Sequence, residues 1–99
     1  MQRGGAIYIL TNKNKTTLYV GVTSDLISRL AEHKMMKHPN SFTARYKLEF
    51  LVYYELFHSI EEAIAREKQL KGGSRMKKEE LINNFNPGWK DLSDELNSW

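Results

Sequence analysis

The chain has 99 residues, 40% of them hydrophobic, which is enough apolar material for one core and too little for two domains. It contains no cysteine, and this excludes a disulfide framework, a thiolate zinc site and a cysteine nucleophile. Fifteen Lys and Arg against twelve Asp and Glu give a net charge of +3 and a pI near 9.2, a balance that suits a polyanionic partner.

The longest apolar runs, such as Phe50 to Tyr54, fall far short of the roughly 20 residues that cross a bilayer, and Met1 to Leu10 lacks a signal-peptide design. The expectation is a cytoplasmic protein with no membrane contact, one domain over residues 1–92 and a polar tail over 93–99.

In chain order, Ala6–Leu10 and Thr17–Val22 are β-branched and aromatic and flank the polar stretch Asn12–Lys15, a pattern that predicts an antiparallel hairpin. A turn closed symmetrically about Lys13 and Asn14 sets Tyr8 directly opposite Tyr19, with both phenols on one face. From Asp25 the period becomes helical through Leu26, Leu30 and Ala31, with Ser24 as N-cap and Pro39 as the limit. Arg29 and His33, four apart, are neighbours on that helix.

Leu48–Phe57 is dense in Phe, Val, Tyr and Leu and predicts a central strand. Ser59-Ile-Glu-Glu62 is a capping box that opens the next helix, and Gly72-Gly73 closes it. A last helix is expected over 74–83, followed by a turn at Asn86-Pro-Gly-Trp89. The fold class is therefore α+β, a small three-stranded antiparallel sheet flanked by helices in the order β-β-α-β-α-α.

Several residues break the pattern. Glu67 lies within the apolar stripe formed by Ile60, Ala63, Ile64 and Leu70, where a carboxylate is costly unless compensated. Either it pairs with a basic side chain at the edge of the stripe, or it is a hard oxygen ligand for a metal such as Mg²⁺, which keeps most of its waters. Arg29 and His33 read as a solvated helix flank or as a site, and Tyr8 and Tyr19 as aromatic packing or as chemistry. The cluster Lys68, Lys71, Arg75, Lys77 and Lys78 is either a solubilising face or a phosphate-binding strip, interrupted by Glu79 and Glu80; Lys34 is a further candidate nucleic-acid contact. His38 and His58 lack partners at ligand spacing and read as surface residues.

Taken together, these residues resemble the GIY-YIG nuclease superfamily, whose two strand motifs stand here as Ala6-Ile7-Tyr8 and Tyr19-Val20-Gly21. The resemblance runs from about Ala6 to Leu92 and includes Arg29 ten residues after Tyr19, His33 one turn later, and the helix around Glu67. It is strongest to stand-alone bacterial members related to the N-terminal domain of the excision-repair nuclease, whose C-terminal signature is similar to Asn86–Leu92. Ala6 replaces the name-giving Gly, a mild change in a strand, and Val22 stands where some members carry Lys.

The resemblance implies a DNA endonuclease that uses one Mg²⁺ or Mn²⁺ ion on Glu67, with a role in repair, recombination or mobile-element processing. In the implied mechanism Tyr8 orients or deprotonates the attacking water, its pKa lowered by nearby cationic charge. Tyr19 holds the water or a phosphate oxygen, Arg29 stabilises the growing negative charge, and His33 assists proton transfer or clamps phosphate. Asn86 is the candidate residue closing the metal site, with Asn83 and Asn84 as rivals. The alternatives are a non-catalytic nucleic-acid-binding module and a protein-interaction domain that uses Trp89 and Trp99. The expected assembly is a monomer or a weak homodimer.

Overall fold

The computed structural model describes residues 4–34 and 41–96. His38, Pro39 and Trp99 lie outside the described residues, as does the Lys34 side chain. The elements run β1 (Gly5–Thr11), β2 (Leu18–Thr23), α1 (Leu26–Lys34), α2 (Phe42–Arg45), β3 (Phe50–Phe57), α3 (Ile60–Lys71), α4 (Arg75–Phe85) and α5 (Ser93–Leu96). The three strands form one antiparallel sheet in the order β2-β1-β3, so the α+β class and the order of the long elements follow the sequence pattern.

The central strand is β1, buried at every position, and not the third strand as expected. The apolar density of β3 has a different cause: the chain after α4 covers its outer edge. Leu92 N–H donates to the Leu51 carbonyl at 2.7 Å, and the Asp91 carboxylate accepts from Leu51 N–H at 3.1 Å. The ladder slips between Ile9 and Leu10, which face Tyr53 and Leu51 and leave Val52 as the extra residue of a bulge.

The period-2 alternation of β1 feeds two cores. Ala6, Tyr8 and Leu10 pack with Leu26 and Leu30 of α1, Leu51, Leu92 and Leu96 on one face. Ile7 and Ile9 pack with Val20, Val52, Ala63 and Leu70 of α3, and Ile82 of α4 on the other. Each of the buried Leu, Ile and Val side chains among these contributes roughly 1.5–3 kcal/mol of transfer free energy. Gly5 is the place where α3 comes closest, since a Cβ there would stand 2.8 Å from the Ala63 Cβ.

The hairpin register differs from the expected one by two residues. Tyr8 faces Gly21, and Tyr19 faces Leu10. The turn is wider because the Asn12 carboxamide accepts from both the Thr16 and Thr17 amides, at 2.8 and 3.3 Å, while Lys15 takes a left-handed φ of 60°. A slip of two preserves the face, and Tyr8 and Tyr19 therefore remain neighbours, now on a diagonal.

The cap of α1 is Asp25 and not Ser24, for its carboxylate accepts from the Ser28 amide at 3.2 Å and the Ser28 hydroxyl at 2.9 Å. Half of the capping box holds: the Ser59 hydroxyl accepts from Glu62 N–H at 3.2 Å, but the Glu62 carboxylate accepts from that same hydroxyl at 3.2 Å where the Ser59 amide was expected; Gly72 caps the far end of α3. Residues 93–96, read from sequence as polar tail, instead form α5, and Leu96 is 1% exposed. Leu92 and Leu96 share one side of that turn and fall into the core beside Tyr8. Among the described residues no helix is long and apolar enough to cross a membrane.

Candidate active site

The α1-covered face of the sheet brings Tyr8, Tyr19 and His33 into a triangle of rings, with centroids 6.3 Å apart for the two tyrosines, 5.8 Å for Tyr8 and His33, and 6.2 Å for Tyr19 and His33. Tyr8 comes from the central strand, Tyr19 from its hairpin partner and His33 from the last turn of α1. Gly21 makes room for this arrangement. A Cβ on it would stand 2.8 Å from Tyr8 Cε2 and closer still to Cζ and Oη, so the Tyr8 ring lies across a position that only glycine leaves open.

The Tyr8 hydroxyl and His33 Nε2 are 3.1 Å apart, and His33 Nδ1 is 2.9 Å from the Thr43 hydroxyl. Thr43 in turn lies 3.2 Å from the Ser41 hydroxyl, which caps α2 by accepting from Ala44 N–H. Two assignments of protons satisfy these contacts: the phenol donates to Nε2, Nδ1–H to Thr43 and Thr43 to Ser41, or every donor and acceptor in that chain is reversed. Thr43 is buried, so its hydroxyl holds the imidazole at Nδ1 from a fixed position.

Tyr8 is 0% exposed. Burial, followed by the neighbouring Tyr19 phenol, pushes its pKa up to about 12, while Arg29 pulls it the other way without prevailing. The expectation of a lowered phenol pKa is therefore corrected: desolvation outweighs the cation, and at neutral pH Tyr8 is a phenol and not a phenolate.

Beside half-buried His33 opens a cleft of about 370 Å³, walled by Tyr19, Arg29, Glu32, His33, Ser41, Phe42 and Thr43. Arg29 reaches it from α1, half exposed and paired with Glu32 at 3.2 Å. The cleft thus has a guanidinium and an imidazole on one wall and aromatic rings on the other. It suits an anionic, partly planar ligand better than an apolar one.

Glu67 sits on the side of α3 that packs on the sheet, in line with Ile60, Ala63 and Leu70, and its side chain is only 14% exposed. Ile64, counted in the stripe from sequence, is instead 37% exposed. The Glu67 carboxylate pairs with Lys71 Nζ at 2.9 Å, and that same ammonium lies 5.8 Å from the Tyr19 ring centroid. Lys71 therefore links Glu67 to the β2 edge beside Tyr19. Among the described residues no three His, Asp or Glu side chains cluster as a metal-binding set, so a zinc-like or multi-carboxylate centre does not fit. A single carboxylate already holding a cation fits a hydrated Mg²⁺ or Mn²⁺ ion that keeps most of its waters.

Other sequence candidates fall elsewhere. Asn86 is buried, and its amide is spent on the backbone: Nδ2 donates to the Val52 carbonyl at 3.2 Å and to the Lys90 carbonyl at 2.8 Å, and Oδ1 accepts from Lys90 N–H at 3.1 Å. It satisfies the carbonyl freed by the β3 bulge and is not brought to Tyr8 or Glu67. Asn83 accepts from the Trp89 indole at 2.6 Å, and Asn84 lines a separate groove between α3 and α4. Arg75, expected to bind phosphate, is occupied by Glu79 at 2.7 Å and by the Thr16 and Lys15 carbonyls at 2.8 and 2.9 Å, which tie α4 to the hairpin turn. Lys68 is exposed on α3 and Lys77 borders the second groove. Neither lines the Tyr19–His33 cleft.

Thr43, Ser41, Phe42, Glu32 and Gly21 were not identified as site residues from sequence. Gly21 carried a signal in its motif; Thr43 carried none, because its partner is ten residues away in a different helix.

Residues 4–80 match the model of the GIY-YIG catalytic domain. The chain is similar to a UPF0213 protein of Syntrophus aciditrophicus, 37% identical over 76 residues that cover 77% of this chain and 86% of the relative. It is also similar to a UPF0213 protein of Natronomonas pharaonis, 37% identical over 76 residues, covering 77% and 87%. The solution NMR structure of a UPF0213 protein from Bacillus halodurans superposes with a TM-score of 0.55 at 31% identity, over 89% of this chain and 92% of that one.

Proposed function

Since the chain belongs to the GIY-YIG catalytic-domain family, a family of nucleases, we propose that it is an endonuclease that hydrolyses DNA phosphodiester bonds with the help of one Mg²⁺ or Mn²⁺ ion. The observation that carries this reading is the 3.1 Å contact of buried Tyr8 with His33, which lines a cleft together with Arg29 and Tyr19.

A phenol held at about 12 cannot begin as a base at neutral pH. It can pass a proton on. As water attacks phosphorus and the bond from phosphorus to the departing 3′ oxygen breaks, Tyr8 Oη accepts the water's proton while its own moves to His33 Nε2; the resulting imidazolium keeps its Nδ1–H on Thr43, and the departing oxygen takes its proton from solvent. Tyr8 stays neutral throughout, which its burial favours. Because Tyr8 is sealed in the resting protein, substrate entry must uncover Oη.

Arg29 leaves Glu32 to meet the non-bridging oxygens, where its planar fork of donors stabilises growing negative charge. Tyr19, on the cleft wall, donates a hydrogen bond to phosphate or water. Glu67 would hold the ion once Lys71 releases it. A bound divalent ion supplies Lewis-acid polarisation of the phosphate. Lys68 and Lys77, both exposed, add non-specific attraction to the DNA backbone.

The test is to incubate the protein and Glu67→Ala with labelled single-stranded, duplex, nicked and flapped DNA, with either metal and with chelator. Metal-dependent cutting that a folded Glu67→Ala protein lacks supports the reading. Salt-dependent binding without cutting by either protein would replace it with a non-catalytic binding module.

A further inference from the structure

Beside the cleft, α2 carries two large apolar rings that the core does not use. Phe42 is 44% exposed and Tyr46 is 49% exposed. They meet edge to face, with centroids 4.7 Å apart, and Phe42 continues to Tyr19 at 6.1 Å. The three rings form one ledge that begins inside the cleft, where Phe42 is part of the wall, and ends in solvent. Single exposed aromatics need no explanation, but a contiguous pair leading out of a polar cleft does.

The charge around the ledge identifies what it fits. Arg45 and Lys47, both exposed, flank Tyr46; the nearby acids are Glu49, next in the chain after Leu48, and Glu32, which pairs with Arg29 in the cleft wall. A ring surface edged by cations and running on from a guanidinium and an imidazole is complementary to a nucleotide, with its base on the aromatic ledge and its phosphate toward Arg29 and His33. The bases of a duplex have both faces covered by their neighbours, so only an unpaired or extruded base can use such a ledge.

We propose that the Phe42–Tyr46 pair holds an unpaired nucleobase, stacked on one ring and bordered by the other, next to the phosphate held in the cleft, so that the preferred substrate has single-stranded nucleotides at the point of cleavage. This inference rests on the nuclease reading and assigns that site its substrate class.

The experiment uses the full chain in chelator, titrated with an oligonucleotide that carries 2-aminopurine, first as a single strand and then within a duplex. Wild type is compared with Phe42→Leu, Tyr46→Ala and Phe42→Trp, each checked by thermal melting. Phe42→Leu keeps apolar bulk and so guards against simple loss of folding. The expected result is quenching of 2-aminopurine in the single strand only, affinity for that strand reduced about tenfold or more in Phe42→Leu and Tyr46→Ala, and restoration by Phe42→Trp. Duplex affinity should be the same in all four proteins. Folded variants that bind the single strand as tightly as wild type would overturn the inference while leaving the nuclease reading intact. Wild type that binds neither form, in chelator and again with Ca²⁺ in place of the chelator, would overturn the nuclease reading and this inference with it. Self-association of wild type that Tyr46→Ala abolishes, with no change in single-strand affinity, would assign the ledge to a second copy and also overturn the inference.

Discussion

Replacing Gly21 with Ala tests how tightly the Tyr8 ring is held. The new Cβ would stand 2.8 Å from Tyr8 Cε2 and nearer to Cζ and Oη, whereas unstrained carbon contacts begin at about 3.5 Å. Tyr8 must shift by about an ångström, which takes its hydroxyl out of hydrogen-bond range of His33 Nε2, now at 3.1 Å. Overpacking of this kind costs about 1–3 kcal/mol of stability. Displacing a reacting group by about 1 Å lowers the rate by roughly 100-fold. The assay pairs urea denaturation with single-turnover DNA cleavage at saturating protein. Val20→Ala is the control, since Val20 is buried in the core on the opposite face of the sheet; it should destabilise comparably without losing rate. A folded Gly21→Ala protein that cleaves at the wild-type rate, or an equal loss of rate in Val20→Ala, would refute the reasoning.

Three further outcomes follow from the same geometry. Leu96→Ala should lower stability by about 2–5 kcal/mol in denaturant titration, because Leu96 is 1% exposed in the core beside Tyr8; a change within 0.5 kcal/mol would return residues 93–96 to the status of a tail. Tyr8 has a folded pKa raised to about 12 from 10.0, so its contribution of about 3 kcal/mol is fully present below pH 10 and is lost as pH rises toward 12. Stability measured across that window should fall less steeply in Tyr8→Phe, and equal slopes would contradict the burial argument. Thr43→Val should slow cleavage about tenfold or more with little change in KM and alter the rate's pH profile, while Thr43→Ser restores both; a loss shared equally by Ser and Val would reduce Thr43 to a packing residue.

Much of the site was legible in the sequence because it rests on short-range periodicity. Tyr8 and Tyr19 share a face under any even register, and Arg29 and His33 share a helix face at i and i+4, so errors in the turn and the cap left their grouping intact. Glu67 stood out as a carboxylate on a packing stripe, and its partner Lys71 lies one turn away on the same helix. What was not legible depends on contacts between segments distant in sequence. The Val52 bulge could not be read from β3 alone, so Asn86 looked available for chemistry when its amide is needed 34 residues away. Arg75 looked like a phosphate contact until the hairpin turn supplied two carbonyls from residues 15 and 16. The Tyr8 pKa was misjudged for a related reason: the cation beside it was visible in the sequence, but the depth of burial was set by α1, α5 and the Tyr19 ring.

The central claim is that Tyr8 and His33 act as one proton-accepting unit. It is tested most directly by a double-mutant cycle in single-turnover cleavage of one labelled substrate with Mg²⁺, using wild type, Tyr8→Phe, His33→Ala and the combined variant. If the pair works as a relay, each single change lowers the rate by a similar large factor and the double change lowers it little further. Losses that multiply in the double variant, or a Tyr8→Phe protein that cleaves at the wild-type rate, would contradict it.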